Sequence, residues 1–305
     1  MNQPSYVRAA GAWIGIGVAA LCLLTAGGSM TTTDAVVAFD LTQSLVDRHS
    51  IATSRDLIGN QAYRGVDGRY YSPFGIAQSV WNVPFYLAGR LAASQVARPQ
   101  TAASIPKAVV TLGTVPAVAL LAWILYSLVI ALGGLPTAAA RTAVLSVFAT
   151  PLWPYSGFGF NQPLAALWLW AAILAAVLAR RGGIRPAVAS GIAIGAAALT
   201  RHEMFLAAPL LMAYLCTERG RAKSALWFAA GLAPLAAVWG VYNWLRFGSI
   251  VESGYLRDPV VGLGGSIWSG ASGLLFSSYA SLFLYCPIAL LSILGFAALW
   301  RRDRA

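Results

Sequence analysis

Ala196-Ala197-Ala198-Leu199-Thr200-Arg201-His202-Glu203-Met204-Phe205-Leu206-Ala207 is the stretch on which the fold of this chain turns. It interrupts an apolar region that runs from Ala187 to Thr217 and would otherwise cross a bilayer as one long helix. Three adjacent polar residues at mid-bilayer are costly. The sequence therefore predicts two short helices, with Arg201-His202-Glu203 at a turn on the extracytoplasmic side.

Six further apolar stretches approach or reach the length of a membrane span: Ala10–Gly28, Ile105–Leu132, Thr142–Phe160, Pro163–Ala179, Leu226–Trp244 and Tyr279–Trp300. With the split at the triplet they give an all-α polytopic membrane protein of about eight transmembrane helices, with both termini on one side. Charge checks this independently, because positively charged loops stay cytoplasmic. With the N-terminus inside, the cytoplasmic segments carry Arg8, Arg141, Arg180, Arg181, Arg185, Arg219, Arg221, Lys223, Arg301, Arg302 and Arg304 against Glu218 and Asp303 alone. The expected localisation is the cell membrane, multi-pass, with both termini cytoplasmic. One continuous span through the triplet would turn Arg301-Arg302 outward.

Composition agrees. The 305 residues are 58% hydrophobic and 10% charged, with a mean hydropathy of +0.68, well away from soluble domains. The net charge of +11 would suggest nucleic acid in a soluble protein. Here the arginines cluster just beyond apolar runs, so no nucleic-acid partner is expected. Cys22, Cys216 and Cys286 lie in apolar runs without metal-ligand spacing, which argues against a disulfide framework. The run Ala10 to Ala26 ends in Gly27-Gly28-Ser29 without a convincing cleavage site, so it reads as an uncleaved first span.

The whole chain, 1–305, reads as one integral membrane domain: a first span at 10–28, an extracytoplasmic loop at 29–104, central spans over 105–244, a second extracytoplasmic loop at 245–278 and a last span at 279–300. The first loop holds most of the polar chemistry. Within it, Ala35–Val46 reads as an amphipathic helix after the capping run Thr31-Thr32-Thr33-Asp34, and Ile76–Ala93 as a second one carrying Trp81, Phe85 and Tyr86. Both are expected to lie at the membrane surface. Neither an internal repeat nor a separate soluble domain is evident.

A transferase acting outside the cell has no ATP or nucleotide sugar to use, so its donor must arrive on a lipid. Holding a lipid phosphate takes cations at the bilayer surface, and activating an acceptor hydroxyl takes a carboxylate within hydrogen-bond reach. Both residue types occur here, around Asp34 and among Arg69, Lys107, Arg201, Arg246 and Arg257.

The segment from Thr32-Thr33-Asp34-Ala35 to Ser44-Leu45-Val46, directly after the first span, resembles the GT-C superfamily of lipid-carrier-dependent glycosyltransferases, which includes relatives of protein O-mannosyltransferase and aminoarabinose transferase. The similarity continues through Gly65-Val66-Asp67-Gly68-Arg69-Tyr70-Tyr71-Ser72-Pro73-Phe74-Gly75 and Val83-Pro84-Phe85-Tyr86-Leu87-Ala88-Gly89. It reappears at Tyr242-Asn243-Trp244-Leu245-Arg246-Phe247-Gly248-Ser249 with Glu252-Ser253-Gly254-Tyr255, and from Gly273-Leu274-Leu275-Phe276 to Tyr285-Cys286-Pro287. The resemblance implies a GT-C-like fold and an inverting transfer of a sugar from a polyprenyl-phosphate donor to a glycan, lipid or protein acceptor at the outer leaflet. It makes Asp34 the general base; Arg69, Lys107, Arg201 and Arg246 the candidates for donor phosphate; and Asp67, Tyr71, Glu252 and Tyr255 the candidates for substrate contact. Superfamily members usually run longer, so this would be a short one. Where relatives often place a cation before the proline, this chain has Ser72-Pro73, which hands phosphate contact to Arg69.

Plainer readings stand beside these. Asp34 could simply cap the helix that follows it. Asp67-Gly68 reads first as a tight turn. His49 and His202 are too few and too far apart for a metal site, so no protein-held metal is expected, and only a divalent cation held with the donor phosphate stays open. The tryptophans near span ends suit an interfacial belt, with Trp81 and Trp268 as candidates for stacking on a sugar. A non-enzymatic membrane protein, whether a transporter, a lipid-binding subunit or a degenerate GT-C relative, is the rival class. The inverted repeats and broken helices of transporters are not evident.

Overall fold

The computed structural model describes residues 5–30, 32–54, 62–217, 222–254, 265–279 and 281–302. Helices dominate. Helix α1 (Ser5–Thr25) leads into α2 (Thr33–Asp47), and a small antiparallel hairpin, β1 (Tyr63–Arg64) with β2 (Tyr70–Tyr71), follows. Then come α3 (Ala77–Ala93), α4 (Pro99–Leu112), α5 (Thr114–Ala131), α6 (Pro136–Phe148), the short α7 (Leu152–Tyr155), α8 (Gln162–Ala179) and α9 (Ile184–Thr200). A single 3-10 turn, His202–Leu206, precedes α10 (Ala207–Cys216) and α11 (Ala222–Phe247). The described part closes with α12 (Ile267–Phe276), the short α13 (Leu282–Tyr285) and α14 (Ala289–Arg302).

Three of the described helical stretches are long and apolar enough to cross a membrane: Pro99–Ala131, Gln162–Ala179 and Lys223–Phe247. Shorter apolar helices include Ala9–Thr25, Ile184–Thr200 and His202–Cys216. The chain is thus a helical membrane-embedded protein, and among the described residues three of the expected spans are helical stretches of full length. The expected span Thr142–Phe160 stops as a helix at Phe148, just before Pro151 and Pro154, and Tyr279–Trp300 is broken around Cys286-Pro287. Proline lacks an N–H and clashes with the preceding turn, so an apolar run that contains one need not be a single helix. The break expected at Arg201-His202-Glu203 is present. Arg201 takes an extended backbone (φ −141°, ψ 121°) that ends α9.

Two packed layers form the body. Val18 and Cys22 of α1 meet Val118 and Leu121 of α5, Ala143 of α6 and Leu164 of α8. Beyond them, α8 to α11 pack through Ala172, Ala176, Ile194, Ala197 and Phe228. Small residues let helices approach closely where apolar burial alone gives no drive to associate in lipid. At the α9–α11 crossing a Cβ on Gly191 would collide with the Phe228 carbonyl, and one on Gly231 with the Val188 carbonyl. A hydroxyl adds to the α8–α9 seam, with Ser190 Oγ donating to Ala172 O at 2.8 Å.

Helix α2 departs from the expectation of a surface helix. Val37, Leu41, Thr42 and Ser44 are all essentially inaccessible. Phe39 meets Tyr86 edge-on at 5.7 Å, against Val110 of α4. Its polar groups are also used: Ser79 Oγ donates to Ala38 O, and Tyr86 and Arg90 both reach Asp47. Helix α3 keeps an exposed apolar face at Val80, Leu87 and Leu91.

Candidate active site

The rim at the end of α1 is built by three segments that meet there. After Thr25 the chain crosses to α2, and the 156–161 loop packs on that crossing. A Cβ on Gly157 would stand 3.2 Å from Ala26 Cα, and one on Gly159 would stand 3.4 Å from Ala35 Cβ and 3.8 Å from Thr111 Cα. Thr114 Oγ1 donates to Ser156 O at 2.5 Å, tying the loop to the start of α5. Its last residue, Asn161, reaches the turn after α9.

Asp34 sits in the first turn of α2, half-buried at this junction. It is not the cap. Thr32 is the N-cap residue, and its Oγ1 accepts the Ala35 N–H at 3.4 Å, which frees the Asp34 carboxylate from the role the plainer reading gave it. Asp34 makes no hydrogen bond to any described residue. Burial pushes its carboxyl above the ordinary value, and the positive charge of Arg201 pulls it part of the way back. A carboxylate made more basic by desolvation and left without a hydrogen-bond donor is suited to accept a proton.

Arg201 is held in place on two sides. Its Nε donates to Glu203 at 2.5 Å, and one terminal nitrogen donates to Asn161 Oδ1 at 2.9 Å. The other terminal nitrogen has no partner among the described residues, and the side chain keeps 29% of its surface exposed. A guanidinium fixed at two nitrogens and open at the third presents a pre-oriented donor to an anion. Sequence reading missed Asn161. Its signal was a polar pair, Asn161-Gln162, set before Pro163 at the head of an apolar run, and the residue is 4% exposed. Lys107 is exposed on α4, one turn before Thr111.

The remaining expected site residues lie elsewhere. Asp67 and Gly68 form the turn of the β hairpin, with Gly68 at φ +81°, a conformation suited to glycine. Asp67 accepts from Tyr71 Oη at 2.7 Å and from the Arg69 backbone N–H at 3.0 Å, and pairs with the Arg69 side chain at 3.4 Å. The Tyr71 bond holds the Asp67 carboxyl low. Burial, reinforced by Asp67, pushes the Tyr71 phenol up to about 12. Glu252 accepts the Gly254 N–H at 2.7 Å. Tyr255 and Arg257 lie outside the described residues.

Arg246 is the largest departure from expectation. It is fully buried. Its guanidinium donates to Tyr242 O (3.1 Å), Asn243 Oδ1 (2.6 Å) and Ser72 O, and lies over the Tyr242 ring at 3.7 Å. With its nitrogens so engaged, it clamps the Ser72-Pro73 segment instead of facing the membrane surface. His202 secures the same segment: Nε2 bonds Pro73 O at 3.0 Å while Nδ1 accepts Trp239 Nε1–H at 2.6 Å. That pairing requires a neutral ring, and burial drops its pKa to about 4. A Cβ on Gly75 would strike Leu199 O, so the segment lies flat on the end of α9. Trp81 is also committed, donating to Gly113 O at 2.8 Å.

Two apolar grooves flank Phe85 and Pro116. One, of 780 Å³, runs between α1 and α5 along Ile16, Ala19, Leu120 and Trp123. The other, of 580 Å³, runs beneath α3 along Trp81, Leu164, Trp168 and Leu199. Among the described residues no three His, Cys, Asp or Glu side chains gather as a metal site. No family model, no curated protein and no solved structure matches this chain.

Proposed function

We propose that this chain is a membrane glycosyltransferase of GT-C type that moves a sugar from a polyprenyl-phosphate donor to an acceptor hydroxyl outside the cell. The observation that carries the reading is that Asp34, desolvated and without a hydrogen bond to any described residue, feels the charge of Arg201, which Asn161 and Glu203 fix and which is open at one nitrogen among the described residues. In this reaction the acceptor oxygen attacks the anomeric carbon from the face opposite the phosphate. The carbon–oxygen bond to phosphate breaks with inversion, Asp34 takes the hydroxyl proton, and polyprenyl phosphate leaves with its charge against Arg201. Arg69 is a weaker phosphate candidate, since Asp67 already engages it. Arg246 is the weakest candidate, since it is buried with its nitrogens on Tyr242, Asn243 and Ser72. The grooves on either side of Phe85 and Pro116 are wide enough and apolar enough for an isoprenoid chain.

The proposed orientation puts both termini and the Arg180–Arg185 loop in the cytoplasm and Asp34, Asp67 and Glu252 outside. A cysteine introduced at Gly183 should resist impermeant labelling in intact cells, whereas one at Asn60 or Gly262 should react. Labelling at Gly183 sinks this topology. The activity itself is tested in proteoliposomes with polyprenyl-phosphate mannose, glucose and aminoarabinose. One of the three should be consumed by the parent protein and not by Asp34→Asn. A protein that binds such donors equally with and without Asp34 and turns over none of them is a lipid-binding protein.

A further inference from the structure

The loop that brings Asn161 to Arg201 has a second face. Its beginning, at Trp153 and Tyr155, walls a cleft of 1200 Å³ whose opposite wall is the 274–286 segment, with Tyr279 and Tyr285. Phe148 and Thr150 complete the near side, and among the described residues no charged one lines the cleft.

Trp153, Tyr155 and Tyr285 are set by protein contacts, whereas Tyr279 is 91% exposed. Trp153 stands edge-on to Phe148 at 5.3 Å, and its indole N–H donates to Thr25 Oγ1 at 3.0 Å. Tyr155 lies on Phe160 at 4.4 Å with a 31° tilt. Across the cleft, Tyr285 Oη donates to Ser278 O at 3.0 Å, and Ser281 bridges Leu275 O and Leu284 N. Cys286 Sγ, 3.9 Å from Ala149 O, brings the two walls together. An interfacial aromatic belt would turn such rings outward to lipid. Here they border a concavity.

Aromatic faces held on both walls at Trp153, Tyr155 and Tyr285, hydroxyls and, among the described residues, no charge select a ligand that is neutral, hydroxylated and flat-faced. Sugar rings have that chemistry: their axial C–H faces lie on aromatic rings while their hydroxyls meet polar groups at the edge. A phosphate-bearing headgroup would find no counter-charge among the described residues of this lining. An isoprenoid chain has two drier grooves at Phe85 and Pro116. The loop also sets a direction. From the cleft it passes Ala26 at Gly157 and Ala35 at Gly159 and ends on Arg201 at Asn161. We propose that the cleft is a subsite for a neutral oligosaccharide, which makes the acceptor a glycan. The word acceptor rests on the transferase reading; the binding does not.

The test uses the full chain in phosphatidylcholine nanodiscs, free of glycoside detergents, with saturation-transfer NMR on maltotriose, cellotriose and mannotriose. At least one should bind with a dissociation constant of millimolar order or tighter. Trp153→Ala and Tyr285→Ala should each weaken it about fivefold or more, since they remove one wall's ring. Trp153→Phe should retain most binding and guards against misfolding. The proposal is overturned by no saturable transfer to any of the three sugars, by binding that both alanine variants leave unchanged, or by displacement with short-chain phosphatidylglycerol. Intact sugar binding in a protein that never turns over donor would refute the transferase reading and leave the subsite standing. Asp34-dependent turnover without sugar binding would do the reverse.

Discussion

Arg201 and Arg246 are matched in the sequence: each stands at the end of an apolar run, and each is expected outside. Their surroundings separate them. Arg201 sits at the turn after α9, open at one nitrogen and near a carboxylate that has no hydrogen bond among the described residues. Arg246 lies inside the body, and its donors are used on Tyr242, Asn243 and Ser72. A buried cation with all three guanidinium nitrogens engaged is a brace, and a fixed cation with a nitrogen to spare is open to an anion. The hairpin at Asp67, Arg69 and Tyr71 lies between these extremes, exposed yet paired within itself.

The largest expected effect tests the open end of that contrast. Asp34→Asn keeps the side chain's shape and removes the proton acceptor. Turnover should fall by about 10²–10⁴-fold, while donor binding and folded yield stay near the parent's. Because Thr32 caps α2, the substitution should not unfold the helix. A variant that transfers sugar at the parental rate would strip Asp34 of the catalytic role.

Next in size is the closed end. Arg246→Met leaves Ser72 O and Asn243 Oδ1 without their donor in a buried setting, and stability should drop by about 2–4 kcal/mol. Arg201→Met should cost less, about 1–2 kcal/mol, since Glu203 can turn to water and only Asn161 Oδ1 loses a donor in a buried setting. Thermal unfolding of the two purified variants measures the difference. Equal losses would erase the distinction between brace and binding group.

Arg201→Ala should in turn raise the donor dissociation constant about tenfold or more, as loss of one charge-assisted contact to phosphate does. It should also move the pH profile. A general base works only when ionised, so activity is lost as pH falls through the Asp34 pKa, which burial has raised. Arg201 opposes that rise, so removing it should carry the acidic limb of kcat/KM to still higher pH. An unmoved limb in a folded Arg201→Ala protein would separate the two groups electrostatically.

Much of this arrangement is legible in the sequence. Hydropathy finds the spans at Ile105–Leu132, Pro163–Ala179 and Leu226–Trp244, because each run is apolar on all sides. The cost of burying Arg201-His202-Glu203 places the break after Thr200. Apolarity does not show where an apolar run bends, so Phe148 and Cys286-Pro287 ended helices that composition alone would continue. Nor does it give depth. Arg246 reads as a rim cation, and only the docking of Ser72-Pro73 against its guanidinium turns it inward. Asn161 was hidden for the complementary reason: its role depends on a partner forty residues away in sequence.

The smallest expected effect concerns the hairpin, the intermediate case. Tyr71→Phe removes the hydroxyl that holds Asp67, in a place where Asp67 keeps 39% of its side-chain surface exposed. Solvent can replace the lost bond, so at neutral pH the variant should be less stable by under about 1 kcal/mol. The sign of the pH dependence follows from the lowered Asp67 pKa. A carboxylate whose folded pKa lies below its unfolded value contributes stability that is present above the unfolded pKa and lost as pH falls through the folded one. The gap in unfolding temperature between parent and Tyr71→Phe should therefore be widest near neutrality and close as pH drops below the ordinary carboxylate range. Donor binding should not change, since the hydroxyl is already spent on Asp67. If Tyr71→Phe instead weakens donor binding at constant stability, the hairpin belongs to the binding site with Arg201 rather than to the scaffold with Arg246.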